Sequence, residues 1–216
     1  MGDGQWSMVG STIADCRSPI ADGLELIMLR RCAVLLWCVV VLTAVGSAAD
    51  IRVPNLAGVL VSPLAVSPGT KAVVLVFVST ECPYSNRSAP EIRRVRDAFE
   101  PKGVRFWLVY PNSAETPAII RAHLKAFSYP DIALRDVRHE LVKLAKPAVT
   151  PEAAVFDARG NLIYKGRIDD RFIELGRERP VATRHDLEEA LTLTLAGKPV
   201  MPASTQAFGC FIADLR

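Results

Sequence analysis

Residues 73–92 read VVLVFVSTECPYSNRSAPEI, and both the architecture and the chemistry of the chain can be inferred from this run. The apolar, largely β-branched segment Val73–Val78 is typical of a buried parallel strand. A helix is predicted from Pro83, because proline is favoured at the first helical position. Cys82 therefore lies where a strand passes into a helix, and the helix dipole there lowers the pKa of a thiol below its free value of about 8.5.

Two interpretations of Cys82 are open. A thiolate at a helix N-terminus is a nucleophile, whereas a cysteine in apolar surroundings is an inert core residue. The proline that directly follows Cys82, together with a second signal downstream at Thr150-Pro151, favours the reactive interpretation.

The composition limits the classes of function. The chain has 216 residues, of which 50% are hydrophobic, enough for one domain with extensions. Its net charge of +3 is small and spread out, so no nucleic-acid partner is expected. No cysteine and histidine cluster has zinc-ligand spacing and no Cys-x-x-Cys-His haem signal occurs, so neither a metal nor a cofactor is expected.

The N-terminal region predicts export. A basic start at Met28–Arg31, an almost unbroken apolar stretch at 32–45 and small residues before Asp50 are typical of a signal peptide over 28–49. An uncleaved membrane anchor is the alternative. Residues 1–27 are interpreted either as a spurious or disordered extension or as a long polar start of the signal. The expected location is periplasmic or secreted, with any membrane association through this segment alone.

The rest of the chain divides into a domain at 50–197 and a tail at 198–216. Removal of the leader would leave two cysteines, Cys82 and Cys210, which an oxidising compartment can join in a disulfide. The tail is irregular, but its apolar patch at 208–212 is expected to dock on the domain.

Strands and helices alternate along the domain, and a hairpin precedes the last helix. This order predicts an α/β fold with a mixed central sheet flanked by helices. Pro90 is expected to kink the first helix, and Thr183 is expected to cap the last one in a capping box with Asp186. The predicted elements are strand 73–78, helix 83–99, strand 104–110, helix 117–127, strand 132–134, helix 137–145, the hairpin of 153–156 with 162–164, a polar loop at 167–180, and a helix from 183 to 197.

With these elements in place, the chain resembles thioredoxin-fold proteins. Thr80–Ser85 lies where that fold carries its Cys-x-x-Cys motif, and Pro90 is placed as the helix proline of thioredoxins. Thr150-Pro151, just before the hairpin, is similar to the cis-proline that lies beside the active sulfur. The extra strand and helix between Tyr110 and Val137 resemble the insertion of the redoxin branch, which includes peroxiredoxins and exported thiol oxidoreductases.

A narrower similarity, to a group of exported bacterial redoxin-domain proteins, is carried by the motif Ser79–Pro83, by Asn86 and by the later run Tyr164–Arg171. The resemblance covers about residues 56–197. Two departures stand out. Ser85 replaces the second cysteine of the dithiol motif, and the peroxiredoxin pattern Pro-x-x-x-Thr-x-x-Cys fails, with Leu75 in the proline position.

The resemblance implies a role for each candidate residue. Cys82 attacks a disulfide sulfur and forms a mixed disulfide. Ser85 either donates a hydrogen bond to the Cys82 thiolate or is a solvated hydroxyl at the helix start. Cys210 either returns to Cys82 and resolves the mixed disulfide, stays a buried free cysteine, or forms a permanent structural disulfide with Cys82. An external thiol or a partner protein can also resolve the mixed disulfide.

The resemblance also implies a substrate-binding edge. If Pro151 is cis, it presents with Thr150 a backbone edge to an extended substrate. Arg171 lies in the loop that borders this edge, where it either lowers the pKa of Cys82 or belongs to a solvated charge run. His123, His139 and His185 are expected to be surface or capping residues rather than catalytic ones.

Three functions are compatible with these residues. The first is an exported thioredoxin-like thiol–disulfide oxidoreductase that uses Cys82 in a Cys-Pro-Tyr-Ser motif. The second is a thiol peroxidase in which Cys82 is oxidised by peroxide and Cys210 resolves it. The third is a binding module that keeps the fold without catalysis. The expected partners are thiol or disulfide proteins or a small-molecule thiol.

Overall fold

The structure, a computed structural model, describes residues 51–212. The predicted extension at 1–27, the predicted signal peptide at 28–49 and the last four residues of the tail lie outside the described residues. Within residues 51–212, no helix is both long and apolar enough to cross a membrane.

The described residues form four α-helices and eleven short or medium strands. The helices are α1 (Pro83–Phe99), α2 (Pro117–Ala126), α3 (Glu140–Ala145) and α4 (Asp186–Leu195). The strands are β1 (Val53–Pro54), β2 (Leu60–Val61), β3 (Ala72–Phe77), β4 (Val104–Tyr110), β5 (Ala133–Arg135), β6 (Val149–Thr150), β7 (Glu152–Asp157), β8 (Leu162–Gly166), β9 (Phe172–Glu174), β10 (Arg177–Glu178) and β11 (Cys210–Phe211).

Five of these strands form the central sheet, in the order β5-β4-β3-β7-β8. β3 pairs in parallel with β4 and β4 with β5, whereas β7 runs antiparallel to both β3 and β8. The sheet is therefore mixed, as the order of predicted elements indicated, and the predicted fold class is confirmed.

β3 lies in the middle of this sheet and is buried along its whole length. Its side chains alternate between two faces: Val74 and Val76 join one hydrophobic cluster, and Val73 and Leu75 join another. α1, α2 and α4 cover the first face and α3 covers the second, which explains why the strand reads as a continuous apolar run. The C-terminal end of β3 thus leads directly to the N-terminus of α1, where Cys82 lies.

The predicted cap of the last helix is wrong. α4 begins at Asp186 with His185 in the N-cap position, and Thr183 lies before the helix. Thr183 instead donates from both its main-chain N–H and its hydroxyl to Asp170, a buried carboxylate distant in sequence. The Asp186 carboxylate accepts from the Arg167 guanidinium at 2.7 Å, so both members of the expected capping box have other partners.

The predicted polar loop at 167–180 also contains regular structure. β9 and β10 form an antiparallel hairpin within it, and Tyr84 of α1 holds the turn by accepting a hydrogen bond from Gly176 N–H at 2.8 Å. The Tyr84 ring also packs against Phe172 in an edge-on contact, with centroids 4.9 Å apart. Contacts with α1, rather than local propensity, therefore order this hairpin.

Candidate active site

Cys82 is the N-cap residue of α1, and its backbone is extended, with φ −81° and ψ 111°. Its sulfur accepts a hydrogen bond from the main-chain N–H of Ser85 at 3.5 Å. Pro83 follows in the first turn of the helix, as predicted. The thiol is 1% exposed, so the sulfur is held at the helix N-terminus but is shielded from solvent.

The strand β6 passes directly over the Cys82 sulfur. The Thr150–Pro151 peptide is cis, as the resemblance implied, and the Cys82 thiol donates to the Thr150 carbonyl oxygen at 2.9 Å. Thr150 and Pro151 therefore lie beside the Cys82 sulfur, as expected for residues of a substrate-binding edge.

The C-terminal tail returns to the same place. β11 pairs antiparallel with β6, so that Cys210 lies opposite Thr150 and Phe211 lies opposite Val149. The Thr150 hydroxyl also donates to the Cys210 carbonyl at 3.5 Å. The predicted docking of the tail on the face of Cys82 is therefore observed.

Cys82 and Cys210 are both free thiols, and both lie at Thr150. Burial raises the pKa of Cys82, but hydrogen bonds with Thr150, Cys210 and Ser85 oppose burial, and the net pKa is lowered from its usual value. The Thr150 group that lowers the pKa is its side chain, whereas its main-chain carbonyl accepts from the thiol and favours the neutral form. Burial and the contact with Cys82 raise the pKa of Cys210 to about 11. Cys82 is therefore the more acidic sulfur of the pair.

Ser85 is buried, so the interpretation as a solvated hydroxyl is wrong. Its side chain and its main-chain N–H both contribute hydrogen bonds that lower the pKa of Cys82. Its hydroxyl also accepts from the Ser79 N–H at 3.4 Å, which ties the helix start to the end of β3. Ser85 thus occupies the position of the missing cysteine as a hydrogen-bonding group rather than a thiol.

The turn that leads to Cys82 is held by Glu115, a residue that the sequence analysis missed. Its carboxylate is buried, and one oxygen accepts from the Ser79 hydroxyl at 2.9 Å and from the Thr80 N–H and hydroxyl at 2.5 and 2.9 Å. Its other oxygen has no hydrogen-bond partner among residues 51–212. The hydroxyls of Ser79 and Thr80 therefore both donate to Glu115.

A second chain of hydrogen bonds, which runs through α1 to α2, supports the same turn. Asn86 donates to the Thr80 carbonyl at 3.2 Å, and its oxygen contacts His123 Nε2 at 2.8 Å. His123 Nδ1 contacts the Tyr110 hydroxyl at 2.9 Å. Burial lowers the pKa of His123 and raises the pKa of Tyr110. The expectation of His123 as a surface or capping residue is therefore wrong.

The residues of the loop at 167–180 are divided between several partners. Arg171 is half-buried, and its guanidinium donates to the main-chain carbonyl of Arg87 at 3.5 Å. Asp170 is buried, and its carboxylate accepts from Thr183, the Arg184 N–H and the Arg179 guanidinium. The loop is therefore an ordered segment that contacts α1, and its charged residues are not all solvated.

One set of side chains in residues 51–212 has metal-ligand spacing. The ligand atoms of Glu91, Asp169 and His185 lie within 4.8 Å of one another. Both Glu91 oxygens already accept from Arg94, at 2.7 and 2.8 Å, and one also contacts His185 at 2.8 Å. An arginine in direct contact favours an ion-pair cluster over a cation site.

A cleft of about 660 Å³ lies along the docked tail. Strand β6, the tip of the β9–β10 hairpin and the tail segment 204–211 form its walls. Leu175 and Phe211, at its edge, are 59% and 82% exposed. Large apolar groups therefore border the region where β11 crosses Thr150.

Among the crystal structures that resemble the chain over most of its length are two of bacterial proteins. An uncharacterized conserved protein from Geobacillus kaustophilus is 27% identical, with 77% of this chain and 89% of that chain covered and a TM-score of 0.66. A hypothetical protein from Sinorhizobium meliloti is 25% identical, with 77% and 91% covered and a TM-score of 0.66. A search of curated proteins found no match.

Residues 45–165 match the AhpC/TSA family, and this segment contains β3, Cys82, α1 and the cis-proline. The matched segment is more than half of the chain. The family match agrees with the mixed five-stranded sheet and with the thioredoxin-like arrangement of the cysteine and the cis-proline. The chain is therefore a thioredoxin-like redoxin protein and belongs to the AhpC/TSA family.

Proposed function

We propose that the protein is an exported thiol–disulfide oxidoreductase in which Cys82 is the nucleophile and Cys210 supplies the second thiol. The convergence of the two free thiols on Thr150 carries this proposal, since the Cys82 thiol donates to the Thr150 carbonyl and Cys210 lies opposite Thr150 in the β6–β11 pair. Ser85 replaces the cysteine expected one helical turn away, and the tail brings another cysteine to the same sulfur. A dithiol pair is thus assembled from two distant parts of the chain.

The proposed reaction proceeds in two exchanges. The Cys82 thiolate attacks one sulfur of a substrate disulfide, forms a mixed disulfide and releases the other substrate sulfur as a thiolate. The Cys210 thiolate then attacks the Cys82 sulfur and expels the second substrate thiolate. The substrate is reduced by two electrons and the protein is left with a Cys82–Cys210 disulfide.

The burial of Cys82 sets a condition for the first exchange. At 1% exposure, the sulfur cannot meet a substrate disulfide while β11 is paired with β6. The tail must separate from Thr150 before attack and dock again for resolution. The two-residue ladder that holds β11 is short enough for such local opening.

Intact mass and alkylation test the proposal. We expect the oxidised protein to show no reactive thiol at Cys82 or Cys210, and the reduced protein to show both. We further expect turnover of a small disulfide such as dithionitrobenzoate to be lost in Cys82→Ser, and Cys210→Ser to stop at a mixed disulfide on Cys82. Two free thiols after oxidation, with unchanged turnover in both variants, would contradict the proposal.

A peroxidase is the second candidate, and membership of the AhpC/TSA family favours it. In this reaction the Cys82 thiolate takes an oxygen atom from a peroxide and becomes a sulfenic acid, and Cys210 then forms the disulfide with loss of water. Peroxide consumption with a thiol donor, absent in Cys82→Ser, would identify this function. If the protein neither turns over a disulfide nor consumes peroxide, and Cys82 is alkylated only near pH 8.5 or above, the result would indicate a binding module.

Export is the part of the proposal that depends on residues 28–49. The basic, apolar and small-residue segments of this region support it. Expression of the full chain in a bacterial host and separation of periplasm, membrane and cytoplasm test it. A periplasmic protein shortened near residue 49 is the expected result, and an uncut cytoplasmic protein would contradict export.

A further inference from the structure

We infer that His123 is a positioning residue for Cys82: its ring fixes the orientation of the Asn86 amide, and Asn86 joins the turn that carries Cys82 to the start of α1. This inference depends on the proposed function, because His123 has this role only if Cys82 is the reacting sulfur. It adds a residue of α2 to the groups that set the reactivity of that sulfur.

Asn86 bonds the main chain at two points of the turn. Its main-chain N–H donates to the Cys82 carbonyl at 3.0 Å, within the first turn of α1. Its side-chain amide donates to the Thr80 carbonyl at 3.2 Å, two residues before Cys82. The N–H and the hydroxyl of Thr80 are already held by Glu115. The turn is therefore fixed from α1 as well as from Glu115.

The partners of the Asn86 amide determine which ring nitrogen of His123 carries a proton. A main-chain carbonyl only accepts hydrogen bonds, so the group that Asn86 presents to Thr80 is its NH2. The Asn86 oxygen therefore contacts His123 Nε2, at 2.8 Å, and this nitrogen must be the donor. In the neutral ring Nδ1 is then an acceptor, and the Tyr110 hydroxyl donates to it at 2.9 Å.

The surroundings of His123 keep the ring neutral and in place. The residue is 7% exposed, and both ring nitrogens bond uncharged groups. The ring packs against Phe127 and Tyr129, with centroids 4.8 and 6.2 Å away. Burial lowers the pKa of His123 below its ordinary value, so the ring is neutral at pH 7. In this state it offers one donor and one acceptor, and each has a partner.

Loss of the His123 donor would leave the Asn86 amide free to rotate away from the Thr80 carbonyl. The turn before Cys82 would then lose its side-chain bond to α1. The Cys82 sulfur accepts from the Ser85 N–H at 3.5 Å, and this contact depends on the relative position of the turn and the helix start. Because a helix N-terminus stabilises a thiolate only in such a geometry, we expect a higher pKa of Cys82 when the bond is lost.

Two substitutions of the same side chain test the inference on the full reduced protein. His123→Gln keeps an N–H donor about as far from the main chain as Nε2, whereas His123→Asn is too short to reach Asn86. The rate of iodoacetamide labelling of Cys82 is followed against pH by mass spectrometry of its tryptic peptide. In His123→Asn the midpoint should move to higher pH and labelling at pH 7 should be severalfold slower, while His123→Gln should stay close to the wild type. His185→Gln, a change at the start of α4, is the control and should not move the midpoint.

A double variant tests whether His123 acts through Asn86. Asn86→Ala should shift the midpoint as His123→Asn does, and the two changes together should shift it no further than either alone, because they break one chain of hydrogen bonds. Additive shifts would overturn the inference. So would equal shifts in His123→Gln and His123→Asn, or no shift in either.

Nitrogen NMR of the wild-type protein with isotope-labelled histidine supplies a readout that needs no folded variant. At pH 7 His123 should be the neutral tautomer with its proton on Nε2. The opposite tautomer or a charged ring would overturn the inference and leave the proposed function standing. A wild-type labelling midpoint near the free cysteine value of about 8.5 or above would instead overturn the proposed function, and the inference with it.

Discussion

Gly209 lies directly against the main chain of Thr150. A β-carbon built on Gly209 would be 2.0 Å from the Thr150 carbonyl oxygen and 2.7 Å from its carbonyl carbon. The same oxygen accepts the hydrogen bond from the Cys82 thiol. Glycine at this position therefore permits the close approach by which the tail covers the Cys82 sulfur.

Gly209→Ala should release the tail, because the new methyl group collides with the main chain of Thr150. Overpacking of this kind costs about 1–3 kcal/mol, and undocking relieves it, so the ratio of docked to undocked protein should fall by about 5-fold to 150-fold. We expect faster iodoacetamide labelling of Cys82 in the reduced protein and slower formation of its disulfide with Cys210. Gln206→Ala, an exposed tail position, is the control; equal labelling rates in both variants would contradict a covering role for the tail.

Ser85→Ala should raise the pKa of Cys82, because two of the hydrogen bonds that lower it come from Ser85 and the variant removes the side-chain one. A hydrogen bond to a charged group contributes about 1.5–3 kcal/mol, so labelling of Cys82 at pH 7 should slow by about tenfold. The midpoint of the labelling rate against pH should move to higher pH. Ser88→Ala should leave the midpoint in place, and a shift of equal size in that variant would point to a general effect on α1.

Glu115→Ala should destabilise the turn before Cys82. The change leaves the part-buried donors of Ser79 and Thr80 without their acceptor, which costs about 1–3 kcal/mol. The free energy of unfolding from urea titration measures the loss. Glu115→Gln keeps one acceptor oxygen and should lose less, and Glu81→Ala, an exposed carboxylate in the same turn, should change stability by less than either.

Asp170 should make stability depend on acid pH. Burial raises its pKa, but hydrogen bonds from Thr183 and Arg184 and the charge of Arg179 outweigh burial and lower the pKa to about 2. Because the pKa is lower in the folded state, the stabilisation is present above the ordinary pKa and is lost as pH falls through about 2. Asp170→Asn should therefore lose about 2 kcal/mol at pH 7, and its difference from the wild type should narrow between pH 4 and pH 2. A difference that stays constant over this range would contradict the ionised role of Asp170.

Local patterns predicted most of the elements that position Cys82. The apolar run of β3 and the proline after Cys82 each act over a few residues, so their positions could be read from the sequence. The cap of α4 could not, because Thr183 has a stronger partner in the buried Asp170 carboxylate than in Asp186. The hairpin at 172–178 was missed for a similar reason, since Tyr84 of α1 holds its turn.

The supports of the active turn were beyond local reasoning. Glu115 lies just before α2 and His123 lies within it, and each acts on the turn after β3 through part-buried hydrogen bonds that form only when the sheet has folded. No motif distinguishes Glu115 from an ordinary surface carboxylate. The only available signal was its place in the chain: Glu115 lies between β4, the parallel neighbour of β3, and the start of α2.

By itself, the sequence determined that a cysteine stands at the junction of a buried strand and a helix, because apolar periodicity and proline placement act over neighbouring residues. Only the tertiary structure decided what covers that sulfur, namely the Thr150 carbonyl and the tail strand that carries Cys210. The physical reason is that these contacts join distant parts of the chain, and their free energy is gained only after β6 and the tail have come together.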